Sequence, residues 1–134
     1  MIRLQSILAS LAGGFLSTMN VWAYKLNHVS LTINDVYMVL LMTFWMIVLM
    51  NFKDLKILII SIIGVTITII LIRTQTFVND RQYLSNMITH HSMAMLMSDK
   101  ILQKTNNPRI IKLANTIFKS QQQEINEMKK ILDE

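Results

Sequence analysis

The chain has no cysteine. Disulfides, thiolate zinc sites and iron–sulfur clusters are therefore excluded, and any bound metal must be held by imidazole, thioether, carboxylate or amide groups. Charge is absent from residues 36–50 and 57–72. There is no glycine-rich phosphate loop, no nucleophile set beside a base and no pair of carboxylates placed to flank a cleft, so nothing points to an enzyme. Thirteen basic residues against eight acidic ones leave a net charge of +5. Those of the C-terminal half are scattered singly among acids, whereas nucleic-acid binding needs a clustered basic stripe with aromatic platforms. Weak attraction to anionic lipid head groups is the simpler consequence.

What is present divides the chain in two. Hydrophobic residues make up 52% of it and the mean hydropathy is +0.41, but the apolar excess lies in the first half. Leu4 to Tyr24, Val36 to Phe52 and Leu55 to Ile72 are each long enough to read as membrane helices, since a span needs roughly 20 residues. The first is diluted by Gln5, Ser6, Ser10, Ser17, Thr18 and Asn20, and with Arg3 before it could equally be a signal peptide. On either reading the tail emerges outside the cytoplasmic (inner) membrane. Basic flanks decide little, because Arg3, Lys53 and Lys56 on the inner side are matched by Lys25, Arg73 and Arg81 on the outer. Residues 1–73 are expected to form a membrane anchor of three transmembrane helices, and 74–134 a soluble domain. Met38, Met42, Met46 and Met50 recur every four residues, forming a slowly winding thioether stripe that could relay a soft ion or serve as adaptable packing.

Asn79 or Asp80 can cap a helix that runs without Gly or Pro to Lys104. Thr105-Asn106-Asn107 interrupts it, and Pro108 suits the first turn of a second helix reaching about Leu132. So short a connection predicts an antiparallel hairpin. At 100° per residue, Tyr83, Leu84, Met87, His90, His91, Ala94 and Met97 share one face of the first helix, with Met95 at its margin. The second helix presents Ile110, Leu113, Ala114, Ile117, Gln121, Ile125, Met128 and Leu132, with Glu124 on the flank.

The chemistry concentrates in Met87 to Met97, where His90 and His91 are flanked by four methionines. A histidine nitrogen oriented by Gln121 or Glu124 would leave the other free for a metal. Imidazole and thioether donors favour Cu(I), whereas iron or manganese would call for carboxylates.

The run Asp80-x-x-Tyr83-Leu84-x-x-Met87-Ile88-x-His90-His91-x-x-Ala94-x-x-Met97, followed by Leu113-Ala114-x-x-Ile117-x-x-x-Gln121-x-x-Glu124-Ile125-x-x-Met128, resembles the family known as domain of unknown function 305. The resemblance covers about residues 79–132. Arg73-Thr-Gln-Thr76 and the methionine-rich second span look like its membrane-anchored bacterial branch. It implies a ferritin-like helical bundle associated with copper binding and copper tolerance outside the cytoplasm. It also implies Met87, His90, His91, Met97 and Met128 as ligands, with Gln121 and Glu124 supporting them. Thr89 stands where proline is common in the family and Ile131 where tryptophan is, and longer relatives carry the His-His motif twice.

A single hairpin cannot enclose both apolar stripes, so a homodimer or higher homo-oligomer is expected, pairing hairpins into a four-helix bundle with the histidine level near the interface. The expected function is sequestration or transfer of Cu(I) through a His/Met site, possession of a copper-transfer partner being compatible with it. The alternatives are a metal-free structural or partner-binding hairpin, and a ferritin-like di-metal carboxylate oxidase, for which Glu124 alone on the relevant face is too little.

Overall fold

The computed structural model describes residues 4–134; Arg3, counted above with the inner-side charges, lies outside them. All regular structure among the described residues is helical: α1 (Leu4–Leu16), two 3₁₀ turns (Met19–Trp22 and Leu26–His28), α2 (Ile33–Met50), α3 (Leu55–Thr74), α4 (Asp80–Leu102) and α5 (Pro108–Asp133). The chain forms two compact units. One comprises residues 1–18 and 32–78, the other residues 19–31 and 79–134.

In the first unit, two helices are long and apolar enough to cross a membrane, α2 with 18 residues and α3 with 20. Three spans were expected, and the first stretch is the exception. Among the described residues its helix α1 has 13 residues, about 20 Å at the usual rise against the ~30 Å of a bilayer core. Ser17 and Thr18 interrupt the stretch, and Met19–Trp22 turns as a 3₁₀ helix.

Local chemistry fixes the helix ends. The Asp35 carboxylate accepts from the Thr32 N–H at 2.8 Å and from its hydroxyl at 2.9 Å, closing the start of α2. Asp54 accepts from the Ile57 N–H to start α3. The α3 end is capped by Gln75 in the left-handed region, φ 49°. Small residues bring the helices together. A Cβ on Gly64 would lie 2.5 Å from the Phe44 ring, and one on Gly14 would lie 2.9 Å from Met42 and Val39. Ser10 donates to Thr43 Oγ1 and to the Met46 sulfur, each at 3.2 Å, while Thr43, Ser61 and Thr68 donate to carbonyls one turn back. Few polar groups are thus left unsatisfied where water is excluded. Isoleucines 59, 60, 62, 63, 67, 69 and 70 of α3 face outward.

In the second unit α4 and α5 form the antiparallel hairpin. Asn79 accepts from the Gln82 N–H to start α4, and Asn107 accepts from the Arg109 N–H ahead of Pro108 to start α5. The core consists of Ile88, Met95, Ile125 and Met128, with Tyr24, Leu84, Met87, Phe118 and Leu132 packed around it. The sequence reading divides the chain once, between 73 and 74; the structure instead assigns residues 19–31 to the hairpin and starts its second half at Asn79. That segment forms a strap hydrogen-bonded along α4.

The close approach at Gly64 yields a prediction. Gly64→Val places methyls where the Phe44 ring lies and should cost about 1–3 kcal/mol, as overpacked sites do, measurable as a lowered unfolding midpoint in detergent micelles.

Candidate metal centre

The register of the hairpin brings His91 of α4 to Glu124 of α5. His91 Nδ1 lies 3.0 Å from Glu124 Oε2, with the histidine side chain 15% exposed and the glutamate 48%. The nitrogen is sealed from solvent, yet the carboxylate lies off the direction of an aligned N–H hydrogen bond, so the contact is electrostatic. A carboxylate against Nδ1 favours the proton on that nitrogen and leaves the Nε2 lone pair as the donor available to a metal.

His91 and Glu124 belong to a cleft of about 210 Å³ whose lining also includes Tyr83, Met87, Glu127, Met128 and Ile131. One imidazole and two thioethers therefore share a wall, with Glu124 behind the imidazole. This is a donor set suited to a soft cation. Among the described residues there is no group of three or more His, Asp and Glu side chains able to hold a metal ion.

The other sequence-selected residues are placed differently. Met97 is 57% exposed and lines a separate cleft with Ile101, Ile110 and Leu113. His90 is half-buried and lines neither cleft, and Gln121, also half-buried, is absent from the His91 cleft lining. Met95, placed at the margin of the expected face, is wholly buried. The buried side of α4 is Ile88, Thr89, Ser92, Met95 and Ser98, which lies one residue, about 100°, around from the expected stripe.

The strap accounts for that rotation. Ser92 is fully buried; its oxygen accepts from the Tyr24 N–H at 2.7 Å and lies 2.9 Å from His28 Nδ1. Thr89 donates to the His28 carbonyl at 2.9 Å, and Ser30 donates to the Ser85 carbonyl at 3.0 Å. The Tyr24 ring stands edge-on to Phe118, with centroids 5.6 Å apart. Sequence reasoning missed His28 altogether. The available signal was Ser85, Thr89 and Ser92, spaced four and three residues apart, a hydroxyl row along one side of α4. His28 is 3% exposed. Burial first, then the positive charges of Lys129 and Lys25, push its imidazole below 6.5, the ordinary histidine value.

Residues 71–132 match the family described as Domain of unknown function (DUF305). The uncharacterized protein L153 of Acanthamoeba polyphaga mimivirus is 49% identical over 136 residues, spanning 96% of this chain and 89% of the viral protein. The chain belongs to the DUF305 family. No solved structure matches it. The family match covers α4 and nearly all of α5, hence the whole His91 cleft, while the strap lies outside it.

Neutral His28 makes the hairpin unit sensitive to acid. Because the folded imidazole titrates below 6.5, the unfolded chain binds the proton first: this contribution is complete above pH 6.5 and falls away as the pH drops below it toward the folded value. The thermal midpoint should fall more between pH 7.5 and 5.5 for the parent chain than for His28→Gln, although His28→Gln starts lower. Equal pH dependence of the two would contradict this role.

Proposed function

We propose that this DUF305 protein is a membrane-anchored copper-binding protein that sequesters Cu(I), or hands it to a partner, on the extracytoplasmic side of the membrane. Copper is here the cargo. The observation that supports the reading best is the joint occurrence of Met87, His91 and Met128 in one cleft, with Glu124 against His91 Nδ1. Two thioethers and an imidazole suit Cu(I) and leave it open to exchange with another thioether donor. The carboxylate neighbour orients the ring without needing to touch the ion. α2 and α3 would supply the two-span anchor. His90 and Met97, which the family resemblance implies as ligands, do not line this cleft.

A metal-free packing role is the second reading, favoured by one observation: Met128 belongs to the buried core and Met87 packs against it. The two readings separate on Met→Leu variants, which keep volume while removing sulfur. Full-length protein in micelles, titrated with Cu(I) against a competing chelator, should lose at least about tenfold in affinity in Met87→Leu, Met128→Leu and His91→Gln, equivalent to about 1.4 kcal/mol each. Glu124→Gln should cost about 10- to 100-fold, the usual range for an orienting neighbour. Unchanged affinity in the combined Met87→Leu/His91→Gln/Met128→Leu chain would sink the copper reading.

A further inference from the structure

A two-helix hairpin has two grooves, one on each side. The strap fills the groove flanked by Ser85, Thr89 and Ser92. The opposite groove is open and holds both clefts, the 210 Å³ one at His91 and a larger one of about 480 Å³ toward the connecting turn. Its charges are segregated. The only charged carboxylates lining the His91 cleft are Glu124 and Glu127, and the only charged residues lining the larger cleft are Lys100 and Lys104. Its apolar rim is exposed at both ends, with Tyr83 at 54% and Ile131 at 51% at one, and Met97 at 57% and Leu113 at 59% at the other.

We propose that a second copy of this chain fills the open groove antiparallel to the first, about a two-fold axis at the level of Ala94 and Gln121. These residues lie one turn beyond the His91–Glu124 pair on their respective helices, midway between the two clefts. A rotation there carries Lys100 of one copy to the level of Glu127 of the other, and Ile101 to the level of Met87 and Met128. Each basic, apolar end thus meets an acidic, apolar end. Parallel pairing would instead bring the two lysine-lined ends together and the two glutamate-lined ends together, a like-charge juxtaposition that interfaces avoid. Asp99, half-buried and 3.2 Å from the exposed Lys100 on its own helix, does not line the cleft. The groove face, about 35 Å long and about 20 Å across two helices, offers on the order of 700 Å² per copy, near the ~800 Å² of a standard interface. The same rotation brings Met97 to the level of His91 in the other copy. Resting on the copper reading, this makes Met97 a thioether donor to the second copy's site, which one hairpin leaves open.

The absence of native cysteine makes the test direct. Full chains carrying Met87→Cys and Ile101→Cys, mixed in micelles and mildly oxidised, should form the mixed disulfide in preference to either homodisulfide, since the antiparallel two-fold sets α4 against α4 and leaves like positions about 21 Å apart along the helices. Predominant homodisulfides, or a monomeric parent chain by native mass measurement with no disulfide of any kind, would overturn the pairing. Neither readout involves copper. With pairing intact, Met97→Leu should lower Cu(I) affinity about tenfold. An unchanged affinity in a dimer that His91→Gln still weakens would overturn the Met97 assignment alone, whereas indifference to His91→Gln would remove the copper reading and leave the disulfide result standing.

Discussion

Two helices packed side by side cannot by themselves enclose the whole of their apolar stripes, and the second unit is organised by that constraint. A stripe wide enough to stabilise either helix always reaches past the line of contact into the grooves on both sides. The strap covers one of them, and it does so with polar chemistry. Ser92 is fully buried, and leaving its oxygen without partners would cost on the order of 1–3 kcal/mol; Tyr24 and His28 supply them. The Tyr24–Phe118 contact then seals the apolar side of the same groove. Strap and hairpin are therefore interdependent although some sixty residues separate them in sequence. Because Ser92 is held on the covered side, His91, one residue earlier, emerges about 100° away, where it meets Glu124.

His28 and His91 show how surroundings divide one residue type into two roles. His28 is enclosed with a serine hydroxyl and near two lysines, conditions that favour the neutral ring and give it structural work. His91 has a carboxylate at Nδ1 and thioethers around its cleft. A neutral, oriented ring with a nitrogen to spare is the form in which imidazole binds soft metals. His90 and His91 are adjacent, so their side chains leave α4 about 100° apart.

The parts of the fold legible in the sequence are those encoded locally. Asn79, Asn107 and Pro108 mark the hairpin helices where the structure has them, and the uncharged runs of α2 and α3 announce themselves by length. α1 was overread because hydropathy averages across Ser17, Thr18 and Asn20, which in the structure end the helix and begin the strap. The strap itself was invisible, since its stability comes from hydroxyls on α4 and not from any periodicity of its own. The same omission displaced the expected core by one residue: histidine and methionine were weighted as the inward face of α4, while Thr89, Ser92 and Ser98, ordinarily exposed types, take the buried side. On the candidate site, Met87, His91, Met128 and Glu124 were legible from helical spacing. Met97 has the right residue type and the right stripe, but it is too far along the helix to reach the same cleft within one chain.

The methionines of α2 are set differently from those of the hairpin. Met46 accepts a hydroxyl hydrogen bond from Ser10, and Met42 lies over the flat surface of Gly14. Both are used to fit α2 against α1, the adaptable packing for which methionine is well suited. All four methionines of the stripe, Met38 and Met50 most of all, are exposed, so the four-residue spacing lays the stripe along the surface of α2. Met87 and Met128 differ by the company they keep: an imidazole on the same wall, a carboxylate fixing its tautomer and a cleft large enough for an ion. Sulfur count is thus a poor guide in this chain. The His91 cleft is where an imidazole, two thioethers and a neighbouring carboxylate come together.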